Sequence, residues 1–264
     1  GEGADPIYVF GVPQTVRLKL DSAGGSDRVE VDPGVSAGMD IQGKLLIANS
    51  SGHNTKLTVS TSYFTTARAG TLDVRNGRAF ITGWVPGQIS YVAADVSEVR
   101  LGSLVQDNSF TIARSTPAPL HFEYFNRSQL TIGNAVDGAQ KVRGPLFLDP
   151  LSSQPTLKVL VNNAADTTFR NVVLAPGNNV TDPTVITGLL PAEMRMGAAY
   201  YVIEPLQIDG GQGGSRYTFG KVWMPTQVNG GGGEDVFAVT DSPEKSLMLN
   251  GGGGTNRLDS LAAS

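Results

Sequence analysis

The sequence predicts an all-β protein, built as a jelly roll or β-sandwich with a glycine-rich, flexible C-terminal arm. Three observations support this prediction. Apolar and polar side chains alternate along many short runs, turn signals separate those runs at short and fairly regular spacing, and helical periodicity is nearly absent. The chain has 264 residues, of which 40% are hydrophobic. It is therefore long enough to bury a large core, and its composition is that of a globular protein.

A period of two along the chain predicts the individual strands. In residues 15–20 (TVRLKL), the side chains of Val16, Leu18 and Leu20 share one face. Valine, isoleucine, threonine and aromatic residues populate the other runs, as pleated and half-buried strands prefer. These runs are residues 56–60, 78–85, 109–114, 120–125, 157–161 and 216–224. Asn76-Gly77 and Asp137-Gly138 are among the turn signals between them.

Two segments fit a helix as well as a strand. Residues 191–200 begin with a proline suited to a first helical turn, but their apolar side chains also alternate. Residues 257–263 fit one or two terminal helical turns.

Two other segments, residues 44–59 and 158–173, are weakly similar. Each has an apolar strand, a turn with Asn49 or Asn163, and a threonine-bearing strand. Two ordinary hairpins explain the similarity, and so do two tandem β units. The expected domains are a body, residues 1–228, with an internal division near 115–150, and an arm, residues 229–264.

Two runs of four glycines set the predicted arm apart from the body. Tetraglycine has no side chains with which to pack, so we expect it to become ordered only against a partner. A third glycine cluster, residues 210–214, is expected to be an exposed loop. The predicted interaction residues are Asn229, Gly230, Gly231, Gly232, Gly233, Asn250, Gly251, Gly252, Gly253 and Gly254.

No pattern predicts catalysis, so we expect that the chain is not an enzyme and has no cofactor. A nucleophile elbow, an EF-hand and a Walker motif are all missing from the sequence. His53 is expected in an exposed turn. His121 and Glu123 lie two residues apart, on one face of a strand, and would supply half of an acid–base or metal site. A solvent-facing pair or a subunit contact is the favoured interpretation, and calcium held by turn oxygens stays open.

Carboxylates and aromatic rings give weaker candidates. Glu123, Glu193 and Glu204 lie in apolar strands, and a glycosidase would need two such groups facing one cleft. Asp149, Asp182 and Asp209 precede turns. The aromatic clusters fit the far side of a two-sided core, or else exposed sugar-binding rings. They are Tyr63 with Phe64, Phe122 with Tyr124 and Phe125, and Tyr200 with Tyr201.

Charge and cysteine content exclude several classes of protein. The net charge is −4 and no basic block is present, which does not support an electrostatic nucleic-acid footprint. Cysteine is absent, so disulfides and cysteine-bound metals are excluded. No apolar run approaches the roughly 20 residues that cross a bilayer. The opening GEGADP does not match a signal peptide, and we expect a processed or trimmed start.

Together, the opening strand, the similar segments near Asn49 and Asn163, the low charge and the glycine-rich arm resemble jelly-roll coat proteins of tailless icosahedral phages. The resemblance implies a capsid subunit that self-assembles into a viral shell through sheet edges and flexible arms. Its location would be the virion, after assembly in the host cytoplasm. Its partners would be identical and other coat subunits, with a membrane or other virion proteins beneath, and without specific nucleic-acid recognition.

An alternative function also fits the sequence. The chain would then be a carbohydrate- or receptor-binding β-sandwich of a phage fibre or cell-surface adhesin, in an extracellular location. Exposed aromatic side chains, such as Tyr200 and Trp223, would form its binding site.

Overall fold

In the computed structural model the described residues form 23 β-strands and no helix. The structure describes residues 3–260 except for 33–39, 51–53, 62–63, 65, 104, 153–154, 176, 178–181 and 198–202. The first strands are β1 (Pro6–Val9), β2 (Arg17–Asp21), β3 (Arg28–Val31), β4 (Lys44–Ala48), β5 (Thr55–Ser60), β6 (Ala69–Arg75), β7 (Arg78–Thr82), β8 (Gln88–Val92), β9 (Val96–Ser103), β10 (Asn108–Ile112), β11 (Leu120–Tyr124) and β12 (Ser128–Ile132). The remaining strands are β13 (Leu146–Pro150), β14 (Leu157–Asn162), β15 (Arg170–Ala175), β16 (Thr184–Thr187), β17 (Met194–Met196), β18 (Ile203–Asp209), β19 (Ser215–Phe219), β20 (Thr226–Asn229), β21 (Asp235–Val239), β22 (Leu247–Asn250) and β23 (Arg257–Ser260).

The strands form two sheets, and the chain passes from one to the other at nearly every connection. The first sheet has 12 strands in the order β1-β3-β5-β9-β11-β13-β17-β16-β15-β19-β21-β23. The second has 11 strands in the order β2-β4-β8-β7-β6-β10-β12-β14-β18-β20-β22. Most neighbouring strands are parallel, as in β9–β11–β13 and β10–β12–β14. The described part of the chain is therefore a two-sheeted parallel β-solenoid, in which each coil adds one strand to each sheet.

Two antiparallel meanders interrupt this winding, one in each sheet. Strands β6, β7 and β8 all lie in the second sheet, between β4 and β10. Strands β15, β16 and β17 all lie in the first sheet, between β13 and β19. Each meander adds two strands to one sheet while the other sheet advances by a single coil.

The core lies between the sheets and consists of the inward-facing side chain of every second residue. Its widest part holds Trp84, Phe110 and Phe122, which are all fully buried. The rings of Trp84 and Phe110 meet edge to face, with centroids 4.7 Å apart, an arrangement that adds to the energy of burial alone. Gly70 leaves the space for this pair, because a Cβ at that position would lie 2.6 Å from the Trp84 ring.

The structure confirms an all-β chain with a large core, but the pairing differs from that of a jelly roll. A jelly roll closes two antiparallel sheets, whereas the sheets here are largely parallel. The segments 44–59 and 158–173 are not hairpins, because β4 and β5, and likewise β14 and β15, lie in opposite sheets. Each segment is one coil with a corner at Asn49 or Asn163. No described helix is long and apolar enough to cross a membrane.

The predicted body and arm are also continuous in the structure. The expected boundary after residue 228 falls inside β20, and β21, β22 and β23 extend both sheets by further coils. The ambiguous segments are strands where they are described, at Met194–Met196 and Arg257–Ser260. A division near 115–150 has no counterpart in the sheet order, since β11, β12 and β13 pair with their neighbours on both sides.

Candidate functional site

The meander β6–β8 forms a groove on the outer face of the second sheet. Leu72, Ala79 and Ile81 point into the core and are fully buried. The alternate side chains of the same strands therefore face outward. The groove has a volume of about 550 Å³, and its lining includes Thr71, Asp73, Arg75, Arg78, Phe80 and Gln88.

Positive side chains outnumber negative ones in the lining of this groove, with Arg75 and Arg78 against Asp73. Arg75 and Arg78 are directly opposite each other on β6 and β7, and both are exposed. Like charges in such a cross-strand position normally destabilise a sheet. Asp73 is the neighbouring carboxylate, and it accepts a hydrogen bond from Arg75 Nε. It also lies 3.6 Å from Arg114, which forms a 2.7 Å ion pair with Asp137.

The outer face of the first sheet carries a second polar cluster, around His121. Its Nδ1 donates to Asp149 Oδ2 over 2.7 Å, and its ring stacks on Phe147 with centroids 4.5 Å apart. Glu123 shares this face, as predicted, but it binds Arg100 Nη1 at 2.7 Å. No group of three or more histidine and carboxylate side chains is placed to hold a metal within the described ranges. The cluster is thus a network of satisfied polar contacts, with a hydrogen bond between His121 and Asp149 and an ion pair between Arg100 and Glu123.

A partly buried glutamate, Glu98, extends this network. Glu98 lies 3.2 Å from Lys56 and 2.6 Å from Arg100. Burial alone would raise the pKa of Glu98, but the hydrogen bonds from Lys56 and Arg100 outweigh it. They hold the pKa of the carboxyl group below its ordinary value of 4.5.

The ten predicted interaction residues form stacked corners between the two sheets. Gly230 N–H donates to Asn250 O at 2.7 Å, and Gly253 N–H donates to Gly231 O at 2.8 Å. Asn229 Nδ2 donates to Asp209 Oδ1 at 2.7 Å in the preceding corner. These bonds give the tetraglycine runs partners from within the chain, so the flexible-arm interpretation does not describe them. Whether they contact another molecule stays a prediction.

Glycine is required in these corners by backbone conformation and by close packing. Gly231, Gly233, Gly252 and Gly254 have φ between +75° and +100°, a region that other residues enter only with strain. Each one also lies against the backbone of the preceding corner.

The corner after β20 encloses an unusual carboxylate. Asp235 has 0% of its surface exposed, and neither carboxylate oxygen has a hydrogen-bond partner. Burial raises the pKa of Asp235 to about 6, and the nearby backbone N–H of Ser215 offsets this rise only in part. The neighbouring Tyr217 is also affected, since burial and the negative charges of Asp235, Asp166 and Asp209 raise the pKa of its hydroxyl to about 12.

The structure separates the remaining sequence-predicted candidates. Glu193 binds Arg195, and Glu204 lies exposed in the opposite sheet, so neither forms a carboxylate pair with Glu123. His53, Tyr63, Tyr200 and Tyr201 lie outside the described residues. Asp182 is partly buried before β16.

The aromatic candidates divide between core and surface. Phe122 and Tyr124 are buried in the core, while Phe125 is 46% exposed. Phe64 lies beneath the Arg68 guanidinium, 3.9 Å from its ring centroid. Trp223 is half-buried, with Lys221 Nζ 4.6 Å from its ring centroid.

Sequence reasoning missed the groove and the stacking of the corners. Asn76-Gly77 was interpretable only as a turn, and the turn does not reveal that Arg75 and Arg78 face outward together. The sequence does contain a signal of this stacking, in the spacing of its glycine clusters. Ser215 pairs with Asp235, and Val236 pairs with Arg257, so a coil takes 20 or 21 residues, and the glycine clusters recur at that spacing.

Comparisons with known proteins give no indication of the function. The chain matches no family model, no curated protein and no solved structure at a significant level.

Proposed function

We propose that this chain is a rigid binding module of an extracellular fibre or cell-surface adhesin, and that the groove on β6–β8 binds an acidic carbohydrate. The observation that carries the proposal is the exposed cross-strand pair of Arg75 and Arg78 beside Phe80. Two like charges held opposite each other cost stability. Asp73 offsets only one of the two charges, through the hydrogen bond that it accepts from Arg75, and an anionic ligand would neutralise the other.

The chemistry of the lining fits a carboxylated sugar. Guanidinium groups bind carboxylates through two parallel hydrogen bonds. The ring of Phe80 offers an apolar surface to one face of a sugar ring, and Thr71 and Gln88 offer hydrogen bonds to its hydroxyl groups. A groove of about 550 Å³ is within the range of small-ligand sites.

The solenoid supplies a stiff support for this groove. The two strands next to the meander, β4 and β10, each continue through further parallel coils. Fixed backbone positions reduce the ordering cost that binding would otherwise incur. The backbone of the groove is therefore in place before a ligand arrives.

Binding of the full chain to an array of acidic and neutral glycans tests the proposal. The variant Arg75→Gln/Arg78→Gln should weaken binding to acidic glycans about 10- to 100-fold, because charged hydrogen bonds are lost. Phe80→Ala should weaken it as well. Arg127→Gln and Phe125→Ala, which alter exposed residues outside the groove, should bind as the wild type does. Equal binding by all variants, or a preference for neutral glycans, would refute the proposal.

A coat-subunit function is the second proposal, supported by the edges of the sheets. Within the described part of the chain, strands β1, β2, β22 and β23 each end a sheet and pair with one neighbour only. Strand edges that lack a partner can join to other chains. Light scattering distinguishes the two functions. A closed particle in the megadalton range, without glycan binding, favours the coat subunit, whereas a glycan-binding monomer favours the adhesin.

A further inference from the structure

The corner that contains Asp235 lacks the partner that its charge requires. The carboxylate is completely buried and both of its oxygens lack a hydrogen bond. The other nearby carboxylates are satisfied. Asp209 accepts from Asn229, and Asp166 accepts from Arg170 Nε at 2.7 Å. A buried carboxylate is costly unless it is paired or coordinates a metal.

A carbonyl oxygen of the next coil lies close to this carboxylate. A Cβ on Gly230 would fall against Asp235 Oδ2, and Gly251 O lies 2.7 Å from the same point. The absence of a side chain at Gly230 therefore lets a carboxylate oxygen and a carbonyl oxygen of the following corner approach each other. Residues 209–215, 229–235 and 250–256 include no lysine or arginine, so the three stacked corners contain no basic side chain.

We propose that this corner binds a calcium ion, with Asp235 as its charged ligand and the carbonyl of Gly251 as a neutral ligand from the next coil. Calcium takes six to eight oxygen ligands in flexible geometry, and backbone carbonyls and water are among those it accepts. The ion would neutralise the buried carboxylate and connect two successive coils. This site is separate from the groove and does not depend on glycan binding.

Thermal unfolding of the full chain in calcium chloride and in EDTA tests the site. At a free calcium concentration of one hundred times Kd, binding to the folded state alone should raise Tm by about 5–10 °C. Magnesium should produce little shift, since it requires a smaller octahedral site and loses its water reluctantly. No difference between calcium and EDTA, or an equal shift with magnesium, would overturn the proposal.

Two variants with the same change of charge locate the ion. Asp235→Asn should abolish the calcium shift, yet in EDTA it should be at least as stable as the wild type, because it removes an unpaired buried charge. Glu234→Gln alters the exposed neighbour and should keep the full shift. An undiminished calcium shift in Asp235→Asn would contradict the assignment.

Terbium luminescence provides a measurement on the wild-type chain that does not depend on how Asp235→Asn folds. Tyr217 lies beside the same carboxylate and should sensitise the emission of bound terbium. Calcium should displace the terbium, and Tyr217→Phe should reduce the emission. The absence of calcium-displaceable emission would overturn the proposal.

Discussion

Replacement of Gly233 by alanine tests whether the tetraglycine runs are fixed corners. Gly233 has φ +77°, and a Cβ there would lie 2.5 Å from Gly214 N and 2.9 Å from Gly214 Cα. The Gly214 N–H donates to Gly232 O at 3.1 Å. An added methyl group would therefore push apart the backbone of two successive corners and lengthen this hydrogen bond.

Gly77 supplies a matched control for the backbone strain. Its φ is +73°, close to that of Gly233, but a Cβ there would meet nothing within 4 Å. Gly77→Ala should cost about 1 kcal/mol, for the left-handed conformation alone. Gly233→Ala should cost the same amount plus about 1–3 kcal/mol for the displaced backbone, or about 2–4 kcal/mol in total.

Urea unfolding followed by circular dichroism measures the two losses, and hydrogen exchange measures the local effect. Coils of a solenoid interact with their neighbours only, so faster exchange in Gly233→Ala should concentrate in residues 210–239. A flexible arm would tolerate alanine at residue 233. A loss for Gly233→Ala no larger than that for Gly77→Ala would therefore refute the corner interpretation.

Two further predictions concern the core and the outer face of the first sheet. Phe122→Ala should lower the free energy of unfolding by about 3–5 kcal/mol, because it leaves a cavity beside Trp84. The control Val136→Ala, at a position 80% exposed, should change that free energy by less than about 0.5 kcal/mol. Equal losses for the two variants in urea unfolding would contradict this packing. Glu98 has a lowered pKa in the folded state, so its contribution is full above about pH 4.5 and is lost as the pH falls through the folded value. Glu98→Gln should therefore lower Tm at pH 7 but not near pH 2, and a difference in Tm that is constant with pH would show that the ion pairs with Lys56 and Arg100 contribute nothing.

Local alternation was enough to predict strands, because a strand's period depends on neighbouring residues alone. Leu18 and Leu20 identified β2, although the alternation began one residue early at Val16, and Leu120, Phe122 and Tyr124 identified β11. The direction of pairing depends on which distant strands meet. Hairpins and solenoid coils both consist of strand, turn and strand, so the sequence around Asn49 did not separate an antiparallel pair from a corner between sheets.

The order of the glycine runs could not be predicted from the sequence, for a different physical reason. Glycine by itself is flexible, but stacked copies of one corner can hydrogen-bond to each other, as Gly253 does to Gly231. That stacking depends on the repeat length of 20 or 21 residues and not on any single run. The hydrogen bond of His121 with Asp149 was likewise beyond local pattern, since β11 and β13 are brought together only by the winding of the chain.

The two meanders widen opposite sheets of the solenoid. Each one makes its sheet wider than the opposite sheet by two strand spacings, or roughly 9–10 Å, and so acts as a wedge that tilts the coils on one side of it against those on the other. Because β6–β8 widens the second sheet and β15–β17 widens the first, the two tilts have opposite sense. The two insertions therefore offset each other in strand number, and the two sheets end with 12 and 11 strands.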